Sequence, residues 1–533
     1  MAEQKRSLAG IALIVAVATL LSKVFGLFRQ MAIAAAFGVG VVFDAYNYAY
    51  VIPGFLLILL GGINGPFHSA IVSVLAKRSD RSAAPLVETI NTIVGILLLL
   101  VTILLFVFAA PLIDLVAPGL SSTDTGREIR SIAIEQLQIM APMALFAGLI
   151  GIGFGCLNAA NQFWLPSVSP LLSSLTVLIG LGGLALFLGK GITAPENAYL
   201  GGAVLAWSTL AGAVCQWLLQ IPAQVKAGMG SLRLRWDWRQ EGVGEILKIM
   251  APATFSSGMV QINVFAILFF ASYIPQAAAA LGYASLLVQT PLGVLSNVIL
   301  VPFFPLFSRL AAPDRWDELK LRIRQCLIFT GITMLPLGAL MAVLSRPTVQ
   351  IIYERYAFDA QATEITASML YVYSLGMFVY LGRDVLVRVF YALGDGVTPF
   401  RISVINIFLN VLFAAVFVQW LGASGLVLAT VAVNIISMVA LLIALDRALH
   451  GIPWWNWSAP IIGLTATSGV GGLASWGLLL LLSPYLQTGF WQKAILLITC
   501  GSGGMAVFLL LTIGLGLPEL NELLQRLKQK FFA

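Results

Sequence analysis

The chain alternates long apolar runs with short breaks that are polar or rich in proline and glycine. Most runs last about 20 residues, the length a helix needs to cross a bilayer. They lack the two-residue alternation of membrane β-strands. Fourteen runs therefore predict fourteen transmembrane helices. We place these spans at about 8–36, 44–75, 86–113, 133–157, 164–189, 198–222, 245–273, 277–307, 321–344, 366–393, 399–420, 423–446, 458–482 and 490–517.

The second span is the least regular of the fourteen. Pro53 lies inside it, and Gly61, Gly62, Gly65 and Pro66 follow within one short stretch. Proline removes a backbone donor and glycine weakens a helix interior. We therefore predict that this helix is bent or interrupted.

Composition excludes a soluble globular protein. Of the 533 residues, 59% are hydrophobic and only 10% are charged, whereas soluble domains carry about a quarter charged residues. Mean hydropathy is +0.96. The chain is predicted to be an all-α polytopic membrane protein, and its first apolar run is too long for a signal-peptide core.

Several biochemical classes lack their sequence signals. The four cysteines and two histidines are scattered without metal-ligand spacing, so we expect no metal site. The basic residues lie in short loops without a soluble aromatic-rich domain, so we expect no nucleic-acid partner. No GxxxxGK[ST] or HExxH motif occurs, and ATP hydrolysis and an enzymatic role are not expected.

The distribution of Lys and Arg predicts the topology. The N-terminus, the alternate loops and the C-terminal tail hold nineteen of these residues, and the opposite loops hold six: Arg127, Arg130, Lys190, Arg346, Arg355 and Lys493. Positive residues collect on the cytoplasmic side. Both termini are therefore expected in the cytoplasm, which agrees with an even number of spans.

A faint internal repeat predicts two lobes. Ile139-Met-Ala-Pro142 recurs as Ile249-Met-Ala-Pro252, and many secondary transporters are built from repeated halves with the substrate site between them. We predict two pseudo-symmetric six-helix lobes at 1–225 and 226–450. Two additional transmembrane helices follow at 451–517, and a cytoplasmic amphipathic tail occupies 518–533. Chance reuse of proline and glycine is the alternative.

Lys23 and Arg29 are cations inside the first apolar span. A charged side chain at membrane depth is costly and normally faces a wet cavity. Six residues of helix separate the two by about 9 Å of rise and about 120° of rotation. They can line two sides of one anionic site, or they can snorkel to an interface.

Three sequence blocks resemble the MurJ/MviN lipid II flippases, a family in the multidrug/oligosaccharidyl-lipid/polysaccharide exporter superfamily. The resemblance covers nearly the whole chain. The blocks are Ser22-Lys-Val-Phe-Gly-Leu-Phe-Arg29, Leu157-Asn-Ala-Ala-Asn-Gln-Phe-Trp-Leu-Pro166 and Arg388-Val-Phe-Tyr-Ala-Leu-Gly-Asp395.

The resemblance implies a flippase in the bacterial inner membrane. It would carry the undecaprenyl-pyrophosphate-linked peptidoglycan precursor from the inner to the outer leaflet by alternating access. A cationic central cavity would bind the head group, and a groove beside the last two spans would hold the lipid tail. We expect a monomer without ATP or cofactor, driven by the membrane potential or by coupling to Na⁺ or H⁺.

The implied substrate site contains Ser22, Lys23 and Arg29. Leu57 and Leu286 stand where relatives often carry arginine, which makes the cavity less cationic and leaves the exact lipid-linked substrate open. Neutral hydrogen bonds could come instead from Gln261, Asn263 and Gln289, or these amides could satisfy one another between helices.

Other polar residues in the spans have two interpretations each. Arg383, Asp384 and Arg388 could gate the inner mouth, or Arg383, Asp384 and Asp395 could pair with one another as local structure. Asp44 either caps the helix of the second span or pairs with a cavity cation.

A possible cation site lies on spans eleven and twelve. Asn406 and Asn410 share one helix face, and Thr430 could join them. Some relatives bind sodium near there, although interhelical hydrogen bonding is the simpler interpretation.

Three alternative functions remain open. The chain could flip another polyprenyl-linked glycan, or it could be a drug/cation antiporter of the same superfamily, although its span interiors hold almost no Asp or Glu. It could also be a membrane-embedded polyprenyl-dependent transferase, although its external loops are short for a catalytic domain.

Overall fold

The computed structural model describes residues 8–62, 65–75, 80–259, 262–486 and 489–519, and most of these residues are helical. The first helices are α1 (Leu8–Phe37), α2 (Val41–Gly61), α3 (Pro66–Leu75), α4 (Asp80–Val107), α5 (Ala109–Val116), α6 (Asp124–Met140), α7 (Met143–Ala159), α8 (Trp164–Val168), α9 (Pro170–Leu188), α10 (Ala198–Lys226), α11 (Val243–Met259) and α12 (Ile262–Ala271). The later helices are α13 (Ala277–Arg309), α14 (Trp316–Val343), α15 (Ser345–Tyr353), α16 (Ala360–Leu375), α17 (Met377–Ala392), α18 (Val397–Leu421), α19 (Ala423–Ala448), α20 (Trp454–Leu482) and α21 (Phe490–Gly514).

The described helices confirm an all-helical membrane fold. Eleven are long and apolar enough to cross a membrane, and two bent pairs raise the number of spans to as many as 13. The remaining predicted span, 245–273, corresponds to α11 and α12. These have 17 and 10 residues, so neither alone has the length of a typical transmembrane helix.

Proline and glycine mark the places where spans bend. The predicted irregularity of the second span is confirmed, because α2 ends at Gly61 and α3 begins only at Pro66. Helices α6 and α7 meet at 41°, where Pro142 provides no N–H, and α16 and α17 meet at 45° around Gly376. A Cβ on Gly376 would lie 2.9 Å from Val431 Cγ2, so the Val431 side chain packs directly against the backbone at this bend.

The chain divides into two compact units. The first comprises Met1–Ala279 with Arg355–Phe358, and the second comprises Ala280–Glu354 with Asp359–Ala533. The division falls inside α13, and α11 packs against α3 in the first unit. The predicted lobe boundary near residue 225 stays a prediction, as does the predicted tail at 518–533, most of which lies outside the described residues.

Close helix packing through glycine organises the first unit. A Cβ on Gly151 of α7 would lie only 1.9 Å from the carbonyl oxygen of Leu60 in α2. Buried Ile71, Leu86 and Ile152 extend this contact into one apolar core shared by α3, α4 and α7. Small residues at crossings are a common packing device in membranes, and here they hold α2 directly against α7.

The last two long helices belong to the second unit. A Cβ on Gly504 of α21 would lie 2.6 Å from the carbonyl oxygen of Gly471 in α20, so these helices cross at close range. Buried Ile328 of α14 packs with Leu464 and Phe508 of the pair. The pair is therefore packed on α14 and is not a separate appendage.

Candidate functional site

The cations of α1 lie within a membrane span, in the first unit. The span covers Val17–Phe37, and Ser22, Lys23 and Arg29 are all half-buried. Arg29 Nε is buried and has no hydrogen-bond partner among the described residues. A guanidinium that snorkelled to water would keep its donors solvated, so this buried donor favours the interpretation of an anion-binding group.

Three aromatic residues of α2 form a wall near Arg29. Phe43, Tyr46 and Tyr50 recur at i, i+3 and i+7, which puts them on one helix face. Their rings stack in sequence, with centroids 6.0 Å and 5.2 Å apart. The Arg29 charge acts on both tyrosine hydroxyls. The sequence analysis missed this wall, although the i, i+3, i+7 spacing of three aromatic residues was visible.

One hydroxyl of the wall is fixed by a neighbouring helix. The Tyr46 hydroxyl lies 3.1 Å from Thr209 Oγ1 of α10, in a buried hydrogen bond. Tyr46 is therefore held in one orientation beside Arg29. Together, α1 and α2 provide a cation and hydroxyl groups suited to an oxygen-rich anion.

Leucine occupies two positions, 57 and 286, at which the family resemblance would often place arginine. Leu57 on α2 packs against the apolar core of the first unit. Leu286 on α13 belongs to the second unit and is half-buried. Neither position supplies a positive charge that would add to those of Arg29 and Lys23.

The three neutral amides have different surroundings. Gln261 lies outside the described residues. Asn263 of α12 has a buried Oδ1 that lacks a partner among the described residues. Gln289 of α13 is exposed and donates from Nε2 to Ser285 Oγ on its own helix at 2.7 Å. Its described hydrogen bond is local, between residues one helical turn apart.

Asp44 caps a different helix from the one expected. Its carboxylate accepts hydrogen bonds from Gln276 N at 3.0 Å and Ala279 N at 2.7 Å, at the start of α13. The N-cap of its own helix α2 is Gly40, which makes no side-chain hydrogen bond. The expectation that Asp44 caps its own helix is therefore wrong, because free amides 232 to 235 residues away in the chain bind it instead.

Arg383 of α17 bridges two other helices in the second unit. Its Nε donates to Ser437 Oγ of α19 at 3.0 Å, and its Nη2 donates to Ser403 Oγ of α18 at 3.4 Å. The ion pair with Asp384 is long, at 3.9 Å. Half-buried Arg388 acts on Asp384 through its charge. The guanidinium of Arg383 thus joins α17 to both α18 and α19.

Asp395 does not join this group. Its carboxylate accepts from Val397 N and Thr398 N at 3.0 Å each, and from Thr398 Oγ1 at 2.6 Å. These donors lower the pKa of the Asp395 carboxyl, with the Thr398 hydroxyl contributing most. Of the expected local pairing, the ion pair of Arg383 with Asp384 is present at 3.9 Å. The expected pairing with Asp395 is wrong, because Asp395 caps the start of α18.

Polar side chains form a stripe on each of α18 and α19. Asn406 and Asn410 are both buried, and Asn410 Oδ1 has no hydrogen-bond partner among the described residues. On α19, Thr430 donates to Leu426 O at 3.2 Å and its own carbonyl accepts from Asn434 Nδ2 at 2.8 Å. The α18 and α19 stripes end at Ser403 and Ser437, which Arg383 binds. The buried amide oxygen of Asn410 is a candidate ligand for a small cation.

A groove of about 590 Å³ lies elsewhere in the second unit, between the first turns of α14 and α20. The basic side chains that line this groove already have partners. Arg324 binds the Glu519 carboxylate and donates from Nε to Asn456 O at 3.0 Å, and Lys320 lies 3.7 Å from Asp317. We therefore do not place the candidate site in this groove.

Comparison with protein families gives one match that covers most of the chain. The family model described as "Lipid II flippase MurJ" matches residues 33–497. A protein of Synechocystis sp. named "Probable lipid II flippase MurJ" is 54% identical over 533 residues, covering 99% of this chain and 98% of that protein. A protein of Vibrio cholerae with the same name is 26% identical and covers 96% of this chain and 97% of its own length.

Solved structures share the fold. A lipid II flippase MurJ in an inward closed conformation superposes with a TM-score of 0.74 at 23% identity, covering 93% of this chain and 98% of that chain. An inward-facing multidrug resistance transporter of the MATE family and MOP superfamily gives a TM-score of 0.59 at 16% identity. It covers 82% of this chain and 99% of its own. At these identities the likeness concerns the fold.

Proposed function

Because this chain belongs to the lipid II flippase MurJ family, we propose that it moves lipid II across the inner membrane. The substrate is a peptidoglycan precursor carried on undecaprenyl pyrophosphate, and the direction is from the inner to the outer leaflet. The observation that carries this proposal is Arg29, a half-buried cation in a membrane span with an unpartnered buried Nε.

The chemistry of the head group explains the choice of these residues. A diphosphate crossing about 30 Å of hydrocarbon needs its charge matched by fixed cations. Arg29 would grip phosphate oxygens with two N–H groups, whereas Lys23 would act as a point charge. Tyr50 of α2 would add a hydroxyl donor, and Ser22 would donate from α1, the helix that carries Arg29. The polyprenyl tail would remain in lipid, beside α20 and α21.

We further propose that transport proceeds by alternating access. The membrane potential or an ion gradient would drive the cycle, so ATP would not be needed. Asn406, Asn410 and Thr430 would bind the coupling cation, supported by the buried Asn410 Oδ1 that lacks a partner among the described residues. Without a carboxylate, such a site would be weak.

Arg383, Asp384 and Arg388 would control this movement at the cytoplasmic mouth. Arg383 joins α17 to α18 and α19 through two serines. A shift of α17 would therefore break hydrogen bonds to both partners, and the guanidinium would have to find new acceptors. Asp384 is the nearest carboxylate that could take this role, since it already lies 3.9 Å away.

A flippase for another polyprenyl-pyrophosphate glycan is the second candidate. The observation that favours it is the absence of charge at Leu57 and Leu286, which leaves the head-group site less cationic. In either case the protein would act as a transporter without catalysis, as a monomer, with both termini in the cytoplasm.

Complementation is the experiment that separates these candidates. We expect the wild-type chain to restore growth in a strain depleted of its own lipid II flippase, and Arg29→Ala to fail at equal membrane expression. Arg127→Ala is the matched control and should complement, because Arg127 is exposed and lies near the start of α6. Lack of rescue by wild type, together with transport of another polyprenyl glycan in vesicles, would reject the lipid II assignment.

A further inference from the structure

The segment 231–240, which joins α10 to α11 in the first unit, alternates apolar and charged residues. Its apolar positions are Leu232, Leu234, Trp236 and Trp238, and its charged positions are Arg233, Arg235, Asp237 and Arg239. The backbone lies outside helix along this stretch. In an extended chain successive side chains point to opposite sides, so the sequence builds one apolar edge and one mainly cationic edge.

Hydrogen bonds to α4 hold the segment in place. Ser231 donates from N and Oγ to Glu88 Oε1 at 3.0 Å and 2.6 Å. Arg235 N donates to Thr92 Oγ1 at 3.0 Å. Glu88 and Thr92 are four residues apart and share one helix face. The segment therefore lies along the third and fourth turns of α4.

Its position along α4 corresponds to the membrane surface. The membrane span of α4 is Ala83–Val107, 25 residues, or about 37 Å, which exceeds the roughly 30 Å of a hydrocarbon core. Counted back from Val107, a core of that thickness takes up about 20 residues and ends near Glu88, to which Ser231 binds. Beyond Thr92, the exposed apolar face of α4 begins at Ile96, only one turn further. The segment lies where the lipid-facing surface of α4 starts.

The side chains of the segment are exposed and chemically matched to that surface. Leu234 is 90% exposed and Leu232 is 63% exposed. The rings of Trp236 and Trp238 pack edge to face with centroids 5.1 Å apart, on the same edge. Arg233, Arg235 and Arg239 are exposed, and none forms an ion pair with a carboxylate in the part of the chain that the structure describes.

We propose that segment 231–240 binds the head groups of anionic phospholipids and anchors the first unit to the surface of one leaflet. Tryptophan prefers the membrane interface, and basic residues beside apolar ones are typical of surface-bound segments. The arginines would grip lipid phosphates bidentately, while the leucines reach the acyl chains. With the orientation proposed above, this leaflet is cytoplasmic. The inference does not depend on which glycolipid is transported.

A fluorescent probe at position 234 tests the proposal. Leu234→Cys would carry the probe in a Cys215→Ala background, in vesicles of phosphatidylcholine and phosphatidylglycerol with one lipid spin-labelled as quencher. We expect spin-labelled phosphatidylglycerol to quench more strongly than spin-labelled phosphatidylcholine. Equal quenching by the two lipids, or quenching only by a water-soluble quencher, would overturn the proposal.

A charge-matched pair of variants identifies the arginines as the cause. The variant Arg233→Gln/Arg235→Gln/Arg239→Gln should lower the preference for phosphatidylglycerol by about fivefold per arginine. The control Arg127→Gln/Lys190→Gln/Arg346→Gln removes the same number of charges at exposed positions outside the segment and should keep this preference. Equal preferences in both variants would overturn the proposal.

The probe-labelled protein with all three arginines intact provides a further test. Raising the salt concentration should reduce the preference for phosphatidylglycerol, because exposed charges are screened. A preference that is unchanged between low and high salt would contradict head-group binding by arginine.

Discussion

The Asp44 carboxylate in α2 accepts a hydrogen bond of 2.7 Å from the backbone N–H of Ala279 in α13. A second bond comes from Gln276 N at 3.0 Å. Asp44 is only 2% exposed, so its two hydrogen bonds are shielded from bulk water. A single side chain in the second helix thus satisfies the start of a helix more than 230 residues later.

Asp44→Ala should destabilise the protein because it removes both acceptors. Loss of a helix cap costs about 0.5–2 kcal/mol, and burial moves this cost towards the roughly 1–3 kcal/mol of a buried N–H left unpaired. We expect a lower midpoint of thermal unfolding in detergent, with Asp44→Asn intermediate because one side-chain oxygen remains. Asp124→Ala is the control, since the Asp124 side chain is 94% exposed. Equal midpoints for Asp44→Ala and Asp124→Ala would contradict the cap.

Arg29→Ala should weaken binding of a pyrophosphate lipid by about tenfold to a hundredfold, because hydrogen bonds to a charged group contribute about 1.5–3 kcal/mol. Arg29→Lys should restore part of this affinity, since a point charge replaces a two-pronged donor. Lys23→Ala should have a smaller effect. The measurement is binding and flipping by purified proteins in vesicles.

Arg346→Ala is the matched control for these variants, because Arg346 is exposed and outside every span. If Arg29 only snorkelled to an interface, Arg29→Lys would behave as wild type and Arg29→Ala would bind normally. That pattern would remove Arg29 from the head-group site.

Sequence patterns predicted the spans well because apolar runs of membrane length report directly on helices. Even the break near Gly61 followed from local proline and glycine. The partners of polar residues were harder, since they depend on which helices become neighbours. Asp44 could not be assigned to α13 from sequence, and Ser403 and Ser437 became visible as partners only when α17, α18 and α19 were packed. The segment 231–240 was counted only as positive loop charge.

The pH dependence of stability should include a contribution from Asp395. Hydrogen bonds from Thr398 lower the pKa of this carboxyl below its ordinary value of 3.8. A group with a lowered pKa in the folded state stabilises the protein above its unfolded pKa, and this stabilisation is lost as pH falls through the folded pKa. The thermal midpoint of wild type should therefore exceed that of Asp395→Asn at neutral pH, and the difference should shrink towards pH 3. A difference that is constant with pH would contradict this account.

Cysteines on exposed loop residues test the orientation. The excess of basic residues predicts that Asp314→Cys is labelled only from the cytoplasm. Glu196→Cys and Tyr356→Cys should be labelled only from outside. All three positions are exposed, so failure to label reports on the side of the membrane and not on burial. Labelling of Asp314→Cys from outside would reverse the proposed topology.

Asn410→Asp should strengthen cation binding between α18 and α19. Asn410 is 2% exposed and its Oδ1 has no partner among the described residues, so a carboxylate there would need a counter-ion. Hard cations prefer charged oxygen ligands, and a tenfold gain in affinity would require about 1.4 kcal/mol. We expect Na⁺ to raise the thermal midpoint of Asn410→Asp more than that of wild type, with choline chloride as the ionic-strength control and Asn197→Asp as the control variant.

Asn410→Ala should lose any Na⁺ response of wild type. If Asn410→Asp and Asn197→Asp responded equally to Na⁺, the buried amide would only be joining helices, and the coupling cation would have to bind elsewhere.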